Sequence, residues 1–182
     1  MSQTTRGGAD TVEGSDVVEV ILADHREFER LLRELRNREA DRRTVLGDLA
    51  DLLVAHAEAE EREVYPTLKR EAPQEAEEIE HGTEEHAEGH EALLALLRTD
   101  AGDHDAFEEA LEELSEALTH HLDEEERDVL NAARENVPDA ERAQLGEAFL
   151  RARGELLEGS PGDERNVARL VAEAEDEGLL DD

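Results

Sequence analysis

The chain has 182 residues, with 52 Asp and Glu against 19 Lys and Arg, a formal net charge of −33, and no aromatic side chains beyond Phe28, Tyr65, Phe107 and Phe149. So acidic a surface repels phosphate backbones and anionic bilayers, which argues against nucleic acid and membranes as partners. The absence of cysteine excludes disulfides, thiolate metal sites and thiol catalysis.

The charge suits a molecule solvated in concentrated salt, where the Debye length falls to about 3 Å and self-repulsion is relieved. It therefore points to a halophilic setting and carries no information about chemistry. No apolar run approaches the ~18 residues that a membrane helix needs, and the first residues carry no secretory apolar core. The expected compartment is the cytoplasm. Leu, Ala, Glu and Arg dominate a composition poor in Pro, which predicts an all-α fold.

Residues 1–15, rich in Gly, Thr and Ser, read as a flexible lead. Ser15-Asp16 can cap a first helix whose stripe is Val17, Ile21, Phe28, Leu32 and Leu35, with His25 inside it. Asp41 to Thr44 offers the next start, for a helix with Val45, Leu49, Leu52, Leu53, His56, Glu60, Val64 and Leu68. Tyr65-Pro66 marks its last turns or a kink. The third helix, Glu75 to Leu97, carries Ile79, Thr83, His86, His90, Leu93, Leu94 and Leu97; His81 points outward. After a turn at 99–103 the fourth runs Phe107, Leu111, Leu114, Leu118, His121, Glu125, Val129 and Ala132. On this helix His120 and Glu124 fall about 100° from the stripe.

Val137-Pro138-Asp139 starts a shorter accessory helix over 135–157, broken from Gly154 onward. Residues 158–182 form an acidic tail, read as a short helix or as disordered. Residues 16–134 thus predict an up-down-up-down four-helix bundle.

One motif occurs twice. His56-x-x-x-Glu60-Glu61-Arg62-Glu63-Val64 and His121-x-x-x-Glu125-Glu126-Arg127-Asp128-Val129 each place an imidazole and a carboxylate one turn apart on a buried face. With the second and fourth helices on opposite corners, an approximate twofold axis would set the two copies at matching heights. His25, His56, Glu60, His86, His90, His121 and Glu125 then all point at one aliphatic core. A lone histidine there is ordinarily a hydrogen-bonded core residue, and one His–Glu pair can be a local salt bridge. Seven polar groups in phase on four helices call for a shared metal.

The set is too large for one tetrahedral zinc and fits two six-coordinate ions. About twelve coordination positions accommodate five imidazoles, two bridging carboxylates and a shared oxygen, with about one position left open for a small diatomic.

These motifs resemble the hemerythrin family, the HHE cation-binding proteins, over residues 16–134. The resemblance rests on Asp24-His25-Arg26, His56-x-x-x-Glu60-Glu61 followed by Tyr65-Pro66, Glu85-His86-x-x-x-His90, and His120-His121-x-x-Glu124-Glu125-Glu126. It implies a four-helix bundle with two iron ions in an oxo- or hydroxo-bridged di-iron centre, and the same seven residues occupy the matching ligand positions. The fourth helix departs from many relatives at Leu130-Asn131, and relatives vary between one and two histidines on the third.

The resemblance implies binding of O2 or a related diatomic for carriage, storage or sensing; sensing would require a protein partner. An enzyme for peroxide or nitric oxide detoxification, or for iron handling, is the alternative on the same bundle. A metal-free bundle with a polar core is the reading to be beaten. Metal identity and oligomeric state stay open at this stage.

Overall fold

The computed structural model describes residues 16–100 and 102–180; the N-terminal lead, 1–15, and the last two residues lie outside them. The described residues are all-α: α1 (Val17–Leu35), α2 (Arg42–Ala59), α3 (Tyr65–Glu71), α4 (Ala76–Arg98), α5 (His104–Arg127), α6 (Val129–Asn136), α7 (Asp139–Leu157) and α8 (Glu164–Glu177). No strand occurs among them, and no described helix is long and apolar enough to cross a membrane.

Side-chain caps start the helices where turn-forming acids precede apolar periodicity. Asp16 accepts from Val18 N at 3.0 Å, Asp41 from Thr44 N at 3.3 Å and Asp103 from Ala106 N at 3.2 Å. Each satisfies one of the four orphan donors at a helix start. α1 packs on α2 and α5, and α4 packs on α5 and α2.

Both motif copies end in a disturbed helix, expected from Tyr65-Pro66 in the first copy and not from the pattern of the second. After His56 the chain passes into a π-helical turn, Glu60–Val64, before α3 begins. Pro66 is the physical reason. It has no N–H to give, and its ring clashes with the carbonyl of Arg62 in a regular helix, so the preceding turn widens. After His121 the helix breaks at Asp128 (φ −110°, ψ −65°), which separates α5 from α6.

The apolar interior forms two clusters. One gathers Phe28, Leu49, Leu93, Phe107, Leu111 and Leu114, and the other Ile21, Val64, Leu68, Ile79, Leu130 and Phe149. His25 lies between Ile21 and Phe28 in sequence, and His86 between Ile79 and Leu93. The buried histidines and glutamates therefore occupy a polar layer between two aliphatic halves.

The C-terminal third is more ordered than the sequence pattern suggests. α7 has 19 residues, as many as α1, and runs through Gly154 to Leu157. It lies against α1 and α2. α8 packs on α4 and contributes Val167 and Val171 to the first apolar cluster. Gly178, at φ 74°, ends α8 in the left-handed conformation that glycine adopts without cost.

The α7–α8 turn is pinned to α2 at Gly162, whose N–H donates to Asp51 Oδ1 at 2.8 Å. A β-carbon there would stand 2.3 Å from Ala50 C and 2.4 Å from Asp51 N. These are backbone atoms that no rotamer change can move. Gly162→Ala is therefore expected to lever the turn away from α2 and lower stability by about 1–3 kcal/mol or more. A denaturant midpoint equal to that of the parent chain would show that the contact does not matter.

Candidate metal centre

Four helices and the π turn each deliver donors to one buried volume. Two groups form. In the first, His25, His56, Glu60 and Glu125 each present a donor atom within 4.8 Å of the others; in the second, Glu60, His86 and His121 do the same. Glu60 belongs to both. Its Oε1 lies 3.2 Å from His56 Nε2, and its Oε2 lies 3.3 Å from His86 Nε2. Glu125 Oε2 similarly lies 3.2 Å from His25 Nε2 and 3.9 Å from His121 Nε2. Two histidine pairs thus face each other across two carboxylates that reach both.

Every histidine of the cluster is held from behind by a carboxylate. His25 Nδ1 lies 2.8 Å from Glu126 Oε1, and His56 Nδ1 lies 3.1 Å from Asp24 Oδ2. His86 Nδ1 lies 2.7 Å from Glu61 Oε1, and His121 Nδ1 lies 3.0 Å from Glu85 Oε2. An ionised carboxylate only accepts, so each Nδ1 carries the hydrogen and each Nε2 is the nitrogen turned inward. This is the outer-shell arrangement that orients metal-binding imidazoles and raises their basicity.

The pairs are reciprocal. Asp24, beside His25, holds His56, and Glu85, beside His86, holds His121. Glu61, beside Glu60, holds His86, and Glu126, beside Glu125, holds His25. An approximate twofold exchanges α1 with α4 and α2 with α5.

The inward atoms are starved of partners. His25 Nε2, His56 Nε2 and all four oxygens of Glu60 and Glu125 are buried and lack a hydrogen bond in acceptable geometry, although both Glu60 oxygens and Glu125 Oε2 stand 3.2–3.9 Å from imidazole Nε2 atoms of the cluster. His86 Nε2 and His121 Nε2 stand 3.1 Å apart. With both Nδ1 atoms donating outward, two lone pairs meet there unless a proton or a cation lies between them. Buried polar atoms otherwise find partners, and each failure costs about 1–3 kcal/mol. The donor set fits cations.

Without a cation the histidines supply the positive charge as imidazolium. Burial alone would lower His56, but the neighbouring carboxylates of Glu60 and Asp24 outweigh it and hold it up at about 10. Burial likewise works against the charged form of His86, and Glu60 and Glu61 raise it to about 9. His25 is raised by Glu125 against the same penalty. Burial favours a neutral Glu60, yet His56 and His86 keep its carboxyl well below the usual range.

His90 is buried on α4 but joins neither group among the described residues. It stands one turn past His86 and lines a cavity of about 260 Å³ with Glu58, Glu61, His86, Glu173 and Glu177. Burial, and then the charge of His86, pushes its imidazole down to about 3, so it is neutral.

Four further residues shape the centre. Arg153 on α7 pairs with Asp24, and Phe149 meets His56 edge-on with ring centroids 5.5 Å apart. Tyr65 stacks on His86 at 5.7 Å with rings 5° from parallel. Gly82 leaves room for this ring, because a β-carbon there would touch Tyr65 Oη at 3.0 Å.

Residues 16–133 match the family described as hemerythrin HHE cation binding domain. The chain belongs to the hemerythrin HHE family. Neither the curated proteins nor the solved structures give a significant match. Membership in a cation-binding family and the buried His/Glu groups agree on metal binding as the property of this hemerythrin-type domain.

Proposed function

We propose that this hemerythrin-type domain holds a pair of iron ions and binds O2 or a related small diatomic for carriage, storage or sensing. The observation that carries the reading is the division of the buried donors into two histidine pairs spanned by Glu60 and Glu125. His25 and His56 would hold one ion, His86 and His121 the other, and the two carboxylates would bridge. A di-iron pair supplies reversible coordination of a diatomic together with the electrons that stabilise it.

The protein's own part is orientation and exclusion. Asp24, Glu61, Glu85 and Glu126 fix the four imidazoles. Phe149 and the two aliphatic clusters keep water from the centre. His90, neutral and outside the donor groups, lines the cavity that reaches His86. The ion on that side would be the one with room for the ligand, because the cavity reaches His86. Imidazoles outnumber carboxylates, so little negative charge accumulates on the metals, which favours reversible binding over oxidation.

The enzyme alternative needs a proton donor at the centre. Tyr65 Oη, 3.5 Å from His86 Nε2, is the group in place. Burial, reinforced by Glu125 and Glu60, pushes its phenol well above 10, so it keeps its proton.

Metal analysis and optical spectra decide between the readings, on protein purified in high salt, reduced without oxygen and then exposed to it. About two irons per chain with near-ultraviolet bands that return on deoxygenation are expected. Irreversible oxidation moves the reading to the enzyme or to iron handling. Zinc in the centre overturns the di-iron assignment.

A further inference from the structure

α4 and α5 carry a second His/Glu cluster on their outward side. His81 and Glu85 are one turn apart on α4, and His120 and Glu124 are one turn apart on α5. One donor atom from each lies within 4.8 Å of the other three. Glu85 Oε1 stands 3.8 Å from His81 Nε2 and 3.6 Å from His120 Nε2. Glu124 Oε2 stands 3.6 Å from His81 Nε2 and 3.9 Å from His120 Nε2.

In three of these side chains the other polar atom is already engaged. His81 Nδ1 lies 3.2 Å from Glu84 Oε2, and Glu124 Oε1 accepts from Arg127 at 3.2 Å. Glu85 Oε2 accepts from the buried His121. Each residue therefore turns one free donor toward a common point.

Glu85 separates this cluster from ordinary surface pairing. Its side chain is 5% exposed, and its Oε1 is buried with no hydrogen-bond partner. A carboxylate oxygen in that condition calls for a hydrogen-bond donor or a cation. The exposed histidines reach it only at distances too long for a hydrogen bond.

We propose that His81, Glu85, His120 and Glu124 form a second cation site, for a tetrahedral divalent ion of the zinc class. Donors held about 2.0–2.2 Å from a tetrahedral ion stand roughly 3.3–3.6 Å from one another. The four His–Glu separations, 3.6–3.9 Å, need to contract by only a few tenths of an ångström. Two imidazoles and two carboxylates suit a borderline ion better than calcium or magnesium.

A water-sized cavity of about 10 Å³, lined by Tyr65, His81, Gly82, Glu85, Glu124 and Glu125, lies between this cluster and the buried centre. Glu85 belongs to both, with one oxygen on His121 and the other in the outer site.

The test is equilibrium binding of Zn2+ to the full chain in about 1 M NaCl, where the Debye length of about 3 Å suppresses diffuse attraction to the acidic surface. The parent chain is compared with the His81→Gln/His120→Gln double variant. Both histidines are exposed, so the fold is expected to survive, and circular dichroism checks it. The double variant is expected to bind one Zn2+ fewer per chain, and Glu124→Gln to weaken that ion at least tenfold. Equal stoichiometry in parent and double variant overturns the proposal. So does an extra ion on the parent chain that disappears in 1 M salt. The difference of one ion is read whatever metal fills the buried centre.

Discussion

Replacing Glu60 with glutamine is expected to cost the protein both buried cations. Glu60 is fully buried, and its two oxygens face different histidine pairs. An amide preserves the volume but presents one weak acceptor and one donor where two anionic oxygens stood. The donor faces an imidazole, and the bridging charge is gone. Affinity at both positions should fall by more than about 100-fold, beyond the 10–100-fold loss typical of outer-shell partners.

Asp24→Asn provides that outer-shell comparison. It leaves every inward donor in place and loosens the support of His56 together with the ion pair to Arg153, so a 10–100-fold loss is expected. The fold should tolerate Glu60→Gln, because His56 and His86 can shed the protons that Glu60 stabilises. Metal content after dialysis against a graded chelator series, with circular dichroism as a control, reads both variants. Full loading of the Glu60 variant would remove Glu60 from the ligand set and the bridged arrangement with it.

What could be read from the sequence, and what could not, follows from helix geometry. Phase along one helix is a local property, fixed by 100° per residue. It is sufficient to place His25, His56, Glu60, His86, His121 and Glu125 on inward faces, and the structure gathers these six. His90 shares the phase, but position along the axis matters as well as angle. One further turn along α4 places it at the cavity beside α8, outside the two groups that the other six form.

Cross-helix partners are harder to anticipate, because they depend on how neighbouring helices are rotated. Asp24 could serve its neighbour His25, yet it holds His56 across the α1–α2 interface. The available signal was the acid beside each buried donor: Asp24-His25, Glu85-His86, Glu60-Glu61 and Glu125-Glu126. The contribution of α7 was illegible for another reason. Phe149 and Arg153 reach the centre only because the chain folds back over α1 and α2, and no periodicity in residues 139–157 encodes that destination. In the π turn, Pro66 announces a disruption but does not specify where the widened turn will fall.

The approximate twofold relates the two halves of the centre. α1 and α4 supply a histidine preceded by an acid, and α2 and α5 a histidine followed one turn later by paired glutamates. The inner shells are nearly equivalent, but their surroundings are not. α7 covers the His25/His56 side with Phe149 and Arg153, whereas the His86 side opens to the cavity beneath α8 and stacks on Tyr65. The two proposed ion positions would thereby be made inequivalent by what lies outside them. A centre that must hold one metal closed and leave another accessible needs that asymmetry.

Removal of the metal should leave a protein whose stability declines with alkali. In the metal-free fold His56 titrates at about 10 and His86 at about 9, both above the ordinary value of 6.5. Groups raised in this way hold more protons folded than unfolded, so stability falls as pH rises. Their contribution is fully present below about pH 6.5 and is lost as the pH passes through 9 and 10. At about 1.4 kcal/mol per pH unit, displacements of about 3.5 for His56 and about 2.5 for His86 together make a difference on the order of 8 kcal/mol.

The window is nearly free of competing groups. The chain has one lysine, its arginines keep their protons, burial holds Tyr65 above the range, His90 titrates near 3, and His25, raised by Glu125, adds to the same decline. His81 is raised as well, but it is exposed and screened by salt. A bound cation replaces the inward protons of His56 and His86, so loading near pH 7.5 should release about two protons, and the alkaline decline should vanish. Denaturant unfolding of stripped and metal-loaded protein at pH 6, 7.5, 9 and 10, in constant high salt, measures both curves. A stripped protein equally stable at pH 6 and pH 10 would mean that the buried histidines are neutral without metal. The two lone pairs 3.1 Å apart at His86 and His121 would then be left uncompensated.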